Sequence, residues 1–201
     1  AGRIEPHGRS VQPEILVPSP PAPRIVDRTL GTSVADVKLA EIVETRMSPD
    51  AIVHLDAAEI GVLQAAADLL DAVIPALSGD VLQYLQKFVV STRKEMVGET
   101  WMEYPGLILF GRPAFKDPAT LAESLLHESL HSKTVWLERG MADLGVALDE
   151  TAADADDKPI PVPWRRNEDG SVVHWSTVRT FDAFYVYAHL TVLSGALWEA
   201  R

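Results

Sequence analysis

The segment from Asp117 to Gly140 constrains the fold of this chain most strongly, because its pattern predicts one long helix. Asp117 followed by Pro118 is a favourable helix start, with the aspartate as the cap and the proline in the first turn. The helix is expected to run from about residue 118 to residue 138 and to end at Gly140. The apolar stretch GLILF, residues 106–110, comes just before it and is typical of a strand. A strand that leads into a long helix favours an α+β fold.

Most of the remaining segments favour helix over strand. Helical patterns cover four segments: 34–47, a stretch from Asp50 or Asp56 to Leu77 that bends before Pro75, 81–88 and 177–200. Segments 87–93 and 100–113 carry β-branched and aromatic residues and predict strands or a hairpin. Residues 149–171 are acidic and then rich in proline and glycine, which predicts a long loop.

These patterns predict an α+β, mostly helical fold. The helix of residues 118–138 would lie next to a small antiparallel sheet. Residues 177–200 are apolar nearly all round, so we expect a buried C-terminal helix. Residues 1–30 are expected to form a Pro-rich arm or linker, and residues 31–201 a single domain.

Composition excludes several classes of function. The chain has 201 residues, no cysteine and a formal net charge of −11. The missing cysteines exclude disulfides, thiolate zinc sites and cysteine catalysis. The negative charge argues against nucleic acid and anionic membrane as partners. No apolar run reaches about 18 residues and no apolar signal core opens the sequence, so we expect a cytoplasmic protein without a membrane span.

The predicted helix of residues 118–138 carries the pattern His127-Glu128-Ser129-Leu130-His131. Two histidines four residues apart lie on one helix face, one turn apart, so both imidazoles can reach one metal ion. In a peptidase with this pattern, Glu128 would be the general base that activates zinc-bound water. The structural alternative is a pair of core or surface histidines that hold no metal.

A catalytic metal site needs a third ligand. The extended metallopeptidase pattern requires glycine and histidine where this chain has Thr134 and Leu137, so that subclass is excluded. His189 is the best candidate, because a polar ring in so apolar a helix needs a partner; a core histidine bonded to a carbonyl is the alternative. Asp143 and Glu150 are further candidates without a supporting motif. His174, in a loop beside Trp175, is a weaker candidate. Glu138 is expected to be a solvated residue near the helix end, His54 a surface residue of an early helix, and His7 part of the arm.

A second cluster of arginines and aromatic residues lies shortly before the His189 helix. It includes PVPWRR at residues 161–166, Trp175 and VRTF at residues 178–181. One interpretation is an ordinary loop, with tryptophans that cover the core and arginines that meet acidic residues. The functional interpretation is a carboxylate-binding wall, in which an arginine holds a dicarboxylate or a peptide carboxylate through two hydrogen bonds.

The order of these motifs resembles the HExxH peptide-modification family. The resemblance covers roughly residues 100–201 and includes LLHESLH, then PWR, Arg179, VYAHL and finally Trp198. Members of this family are encoded beside ribosomally made peptide natural products. They are understood to be non-haem iron, 2-oxoglutarate-dependent peptide β-hydroxylases. The domain of residues 31–201 would then be catalytic.

The resemblance implies a role for each matching residue. His127, His131 and His189 would hold Fe(II), which departs from the commoner triad of two histidines and one carboxylate. Arg179, or failing that Arg165, would bind the far carboxylate of 2-oxoglutarate. Glu128 would orient a ligand or a water molecule without acting as a base. The partner would be a precursor peptide, and the protein would be a monomer or a homodimer.

Two other classes stay open on the sequence. The first is a zinc metallopeptidase in which Glu128 is the general base. The second is a binding domain without catalysis, in which the motif is a relic. A peptide ligand fits both enzyme hypotheses.

Overall fold

The computed structural model describes residues 24–25, 34–47, 52–53, 55–94, 96–143 and 159–200. Its helices are α1 (Val34–Met47), α2 (Ala57–Val73), α3 (Pro75–Val81), α4 (Pro118–Asp143) and α5 (Thr177–Glu199). Its strands are β1 (Arg24–Ile25), β2 (Lys87–Ser91), β3 (Gly98–Thr100), β4 (Leu107–Gly111), β5 (Ile160–Arg166) and β6 (Val172–Trp175). The predicted class, α+β and mostly helical, is confirmed.

Local capping explains where α2 begins. The Asp56 side chain accepts a hydrogen bond from the Glu59 backbone N–H at 2.8 Å, and Glu59 Oε2 accepts one from the Asp56 N–H at 3.0 Å. This reciprocal capping selects Asp56 as the start of the helix. The helical segment is interrupted at Ile74, just before Pro75, which agrees with the bend predicted before that proline. The short helix expected over residues 81–88 was wrong: a 3-10 turn leads into β2 instead.

The larger sheet has the strand order β1-β2-β4-β3. Strands β2 and β4 are parallel, with Phe88 opposite Ile108 and Val90 opposite Phe110. Only the edge strand β3 runs antiparallel to β4. The predicted antiparallel sheet is therefore wrong for the central pair, because the chain passes through β3 between β2 and β4 instead of turning back as a hairpin. The sheet beside α4 is mixed.

Helix α4 lies at the centre of the packing. It contacts α2, α5 and the edge strand β3. Its buried face carries Leu121, Leu125, Leu126 and Leu130, which recur at helical spacing. These side chains share one core with Phe88 and Phe110 of the sheet and with the buried residues of α5. The histidine-bearing turns of α4 are thus anchored by leucines on either side.

The start of α4 is as predicted and its end is not. Asp117 Oδ1 accepts a hydrogen bond from the Thr120 N–H at 2.8 Å, which caps the helix that begins at Pro118. The helix then continues past Gly140 to Asp143. The glycine cap that ends many helices requires a positive φ, and among the described glycines Gly106 and Gly170 adopt one but Gly140 does not.

Part of the predicted loop of residues 149–171 forms a hairpin, so that prediction is wrong over its second half. Strand β5 pairs antiparallel with β6, and Ile160 lies opposite Trp175. The turn between them contains Gly170 at φ 81°. The prolines of β5 obscured the strand, although an edge strand tolerates them. Residues 149–158 lie outside the described part of the chain.

Helix α5 is buried on one face only, which corrects the expected fully buried helix. Val186, Leu190 and Leu193 are buried, but Phe181 and Phe184 are 66% and 69% exposed. The helix packs on α4 and α2 along a single stripe. An apolar composition all round does not create a second packing partner, so several large apolar side chains of the helix stay exposed.

Of the expected arm, residues 1–30, the structure describes only β1, which pairs parallel with β2. The rest of the arm lies outside the described residues. None of the described helices is both long and apolar enough to span a bilayer.

Candidate active site

His127 and His131 face each other on α4. Their Nε2 atoms are 3.2 Å apart, and their rings meet edge to face with centroids 4.9 Å apart. Two nitrogen atoms bonded to one ion at about 2.1 Å lie roughly 3.0–3.4 Å apart at bond angles from octahedral to tetrahedral. The observed separation fits two ligands of a single metal ion.

Burial keeps His127 neutral. Desolvation, together with repulsion from the neighbouring His131, lowers the pKa of His127 to about 4, and the attraction of Asp182 offsets only part of this. A metal ion requires an imidazole without a proton on the bonding nitrogen. At neutral pH, His127 therefore presents a free lone pair.

Asp182, on α5, orients His131. The His131 Nδ1–H donates to Asp182 Oδ2 at 2.8 Å, and the Thr134 hydroxyl donates to Asp182 Oδ1 at 3.0 Å. A carboxylate on Nδ1 fixes the tautomer that leaves Nε2 free to bind a metal ion. Burial opposes charge on His131, but the hydrogen bond and the charge of Asp182 outweigh it, so the pKa of His131 is raised. Burial also opposes charge on Asp182, yet the His131 hydrogen bond lowers its pKa.

Asp182 was not among the site residues predicted from the sequence. A signal was available, because Asp182 is an acidic residue in the same apolar helix whose polar residue His189 was chosen as a ligand. The two positions are seven residues apart, which places them on one helix face.

The structure does not bring His189 to the histidine pair. Its Nδ1–H donates to the Tyr185 carbonyl oxygen at 2.7 Å, and its ring lies 4.4 Å from the Tyr185 ring centroid. It follows Asp182 by two helical turns, or roughly 10 Å along the axis. Within the described residues, no group of three or more histidines and carboxylates is arranged to hold a metal ion. The geometry matches the alternative, a histidine bonded to a carbonyl of its own helix.

Glu128 lies beside the pair and is buried. It is 6% exposed, and its Oε2 accepts a hydrogen bond from the Thr100 hydroxyl at 2.7 Å. Its Oε1 is 4.0 Å from His127 Nε2. Burial raises the pKa of Glu128, with the Thr100 hydrogen bond and the His131 charge acting the other way. The carboxylate therefore has a fixed position and an increased affinity for a proton.

Gly98, in the edge strand β3, makes room for this carboxylate. A Cβ atom at this position would lie 2.7 Å from Glu128 Oε1 and 2.9 Å from its Cγ. Real Cβ atoms do not approach other atoms so closely, so any larger residue would displace Glu128. The lack of a side chain at Gly98 thus allows β3 to pack closely against Glu128 of α4.

A cavity of about 720 Å³ opens in front of the pair. Both predicted arginines, Arg165 from β5 and Arg179 from α5, line it together with His127, His131 and Glu128. This size suits a small organic ligand. The predicted carboxylate site requires an arginine in the cavity of the histidine pair, and both arginines lie there. The binding of a carboxylate stays a prediction.

Trp175 holds both arginines near the cavity. The guanidinium carbons of Arg165 and Arg179 lie 5.3 Å and 5.1 Å from the centroid of its ring. Trp175 itself is buried. Stacking on a fixed aromatic ring restricts the two guanidinium groups and leaves their N–H donors available.

Within the described part of the chain, none of the other candidate ligands forms a metal-binding group with the pair. Asp143 and His174 are exposed, at the end of α4 and on β6 respectively. Glu138 lines the same cavity as the histidines, two turns after His131. Glu150, His54 and His7 lie outside the described residues.

We expect the metal affinity of the histidine pair to rise about tenfold per pH unit between about pH 4 and the pKa of His131. His127 is already neutral in that range, so binding displaces one proton, from His131. Because the pKa of His131 is raised, the rise continues above its ordinary value of 6.5. Titration with Co(II), followed by absorbance from about pH 5 to 8, measures the slope. A rise of about a hundredfold per unit would mean that both histidines lose a proton.

The Asp182→Asn variant is expected to bind Co(II) about 10- to 100-fold more weakly. The amide can still accept the His131 hydrogen bond, but it lacks the charge that favours a metal ion on the other ring nitrogen. Asp169→Asn, the same change at an exposed carboxylate in the hairpin turn, is the matched control. An Asp182→Asn affinity equal to that of the control would remove Asp182 from the site.

The chain matches none of the protein-family models and none of the curated proteins with which it was compared.

Proposed function

We propose that this chain is a non-haem Fe(II) and 2-oxoglutarate-dependent oxygenase that β-hydroxylates residues of a ribosomally synthesised precursor peptide in the cytoplasm. One observation carries the proposal: two metal-competent imidazoles and two stacked arginines line one cavity. A peptidase needs a metal and a base, whereas this cavity also offers cations for a small dicarboxylate. The resemblance of residues 100–201 to HExxH peptide-modification proteins supports the same class.

In this proposal each part of the site has one task. His127 and His131 would hold the iron, and Asp182 orients His131 through its Nδ1–H. A catalytic site needs a further ligand, and within the described residues no third histidine or carboxylate is arranged to supply it. The iron, when bound, supplies the activation of oxygen at the expense of 2-oxoglutarate. Arg179 or Arg165 binds the far carboxylate of that cosubstrate. Glu128, hydrogen-bonded by Thr100, holds a water molecule or ligand beside the metal.

The test is a turnover assay. Fe(II) and 2-oxoglutarate are added without oxygen, oxygen is then admitted, and succinate is measured with and without a candidate precursor peptide. We expect succinate in both cases, more of it with the peptide, and a peptide heavier by one oxygen atom. Peptide fragments formed without 2-oxoglutarate would contradict the proposal.

Arg179→Ala and Arg165→Ala test the cosubstrate site. Because both side chains are exposed, we expect roughly 10- to 100-fold weaker 2-oxoglutarate binding in the variant that loses the direct contact. Arg166→Ala is a matched control, since Arg166 is also exposed but does not line the cavity. Unchanged affinity in both variants would assign a purely structural role to Arg165 and Arg179.

A second function, zinc-dependent peptide hydrolysis, is favoured by the position of Glu128. A buried carboxylate 4.0 Å from His127 Nε2 with a raised pKa suits a base that takes a proton from metal-bound water. Substitution of Glu128 separates the two enzymes, because only hydrolysis requires that proton transfer.

A further inference from the structure

A second cavity, of about 590 Å³, lies between the β5–β6 hairpin and α5. Ile160, Val162, Trp164 and Trp175 line it from the hairpin, and Phe184 and Tyr187 line it from the helix. We call this cavity the aromatic groove. Its walls are almost entirely apolar, in contrast to the cavity that holds the arginines.

The aromatic groove leaves large side chains in water. Trp164 and Phe184 are each 69% exposed and Tyr187 is 51% exposed, whereas Val162 and Trp175 are buried behind them. Each exposed ring offers apolar surface that a ligand can bury with a favourable free energy. Clustered in one concavity, these rings are typical of a binding site and differ from scattered surface residues.

The groove is continuous with the histidine pair. A smaller cavity of about 140 Å³, lined by His127 and His131, adjoins the groove. The two cavities share the lining residues Trp175, Ala183 and Tyr187. The Tyr187 ring centroid is 6.4 Å from that of His127. Consecutive residues of a peptide are about 3.8 Å apart, so the near wall of the groove is about two residues from a peptide position beside His127.

Trp175 contributes to both an anion-binding and an apolar subsite. Its ring carries the two stacked arginines and also lines the groove. A cosubstrate carboxylate would therefore meet the arginines while an apolar group occupies the neighbouring groove.

We infer that the aromatic groove binds an apolar or aromatic side chain of the peptide substrate, about two residues from the residue that reacts at the histidine pair. The inference rests on the proposed action on a peptide and adds the class of sequence that is selected. The occupant follows from continuity: a chain whose reactive residue lies at His127 has its neighbours beside Tyr187. A concave volume beside the reactive centre suits a side chain better than the flat face of a second copy.

The direct test uses small probes and no turnover. The five tryptophans are labelled at the indole nitrogen, and the protein is titrated with N-acetyl-phenylalaninamide or N-acetyl-lysinamide while their NMR signals are recorded. We expect the phenylalanine probe to shift the Trp164 and Trp175 signals with millimolar affinity and the lysine probe to leave them in place. Trp198, 73% exposed and outside the groove, reports non-specific binding.

Two exposed phenylalanines of α5 provide matched variants. Phe184→Ser removes a wall of the groove, whereas Phe181→Ser changes a similarly exposed ring that does not line it. We expect Phe184→Ser to weaken the probe by about 3- to 10-fold, and Phe181→Ser to leave its affinity unchanged. Equal effects of the two variants, or no shift of Trp164 and Trp175 in the wild type, would overturn the inference.

Two further outcomes keep this inference apart from the proposed function. Sedimentation that shows a dimer lost in Phe184→Ser but kept in Phe181→Ser would assign the groove to a second copy of the chain and overturn the inference. Succinate formation without peptide does not involve the groove. Succinate without probe binding would therefore overturn the inference alone, and probe binding without succinate would overturn the oxygenase alone.

Discussion

Replacing His127 with alanine is expected to remove the metal site, with more than about a 100-fold increase in the dissociation constant for Co(II). Substitution of an outer partner of a ligand typically costs 10- to 100-fold, and loss of a direct ligand costs more. His127 is one of only two imidazoles at the site among the described residues, so no neighbouring histidine there can replace it. Absorbance titration with Co(II) measures the loss, and succinate formation should fall with it.

His189→Ala is the informative control. His189 is bonded to the Tyr185 carbonyl oxygen of its own helix, so the structure predicts a Co(II) affinity close to that of the wild type. The resemblance to the HExxH peptide-modification family predicts the opposite, a loss as large as that of His127→Ala. A large loss in His189→Ala would show that α5 shifts along its axis when the metal binds.

These two histidine variants mark the boundary of what sequence can predict. The pairing of His127 with His131 is a property of one helix, because residues four apart share a face whatever surrounds them. The same holds for the start of α4 at Asp117, whose side chain caps its own chain. Such local features were predicted correctly.

The choice between Asp182 and His189 depends on how two helices pack. The two residues are seven positions apart and share one face of α5, so periodicity cannot distinguish them. What decides is the axial position of α5 against α4, which sets Asp182 beside His131 and leaves His189 two turns away. That position is fixed by buried contacts of Val186, Leu190 and Leu193 with distant parts of the chain.

Strand pairing shows the same limit. The composition of β2 and β4 correctly predicted two strands, but it contains no information about their direction. The parallel pairing of Phe88 with Ile108 follows from the path of the chain through β3. The hairpin of β5 and β6 was missed for a different reason, because Pro161 and Pro163 lack the N–H donors that a central strand uses.

The site of Arg165 and Arg179 was only partly predictable from the sequence. Their clustering with tryptophan was visible in the sequence and suggested an anion site. The sequence could not predict that both guanidinium groups stack on Trp175 or that they share a cavity with His127. Both features depend on how the β5–β6 hairpin and α5 lie relative to each other. The fold of the hairpin therefore brings the predicted anion site and the predicted metal site into one cavity.

The Glu128→Gln variant is expected to lose much more activity in one candidate enzyme, the zinc peptidase, than in the other, the oxygenase. Glutamine keeps the shape, and its amide oxygen can still accept the Thr100 hydroxyl hydrogen bond, so the fold should persist. In a zinc peptidase the carboxylate takes a proton from water in the step that attacks the amide, so hydrolysis should fall by about 100-fold or more. Burial, which raises the pKa of Glu128, makes that proton transfer more favourable and its loss more costly.

In the oxygenase, no proton has to be taken from water at the corresponding step. Glu128→Gln should then retain measurable succinate formation, with a loss of at most about 10- to 100-fold from a less rigid surrounding of the metal. Glu123→Gln, the same change at an exposed carboxylate five residues earlier that lines a small cavity with His127 and Glu128, is the control for an effect of nearby charge alone. Both reactions are followed in one sample by succinate analysis and peptide mass. Retained succinate with a gain of one oxygen atom supports the oxygenase, whereas peptide cleavage that is lost in Glu128→Gln and kept in Glu123→Gln supports the peptidase.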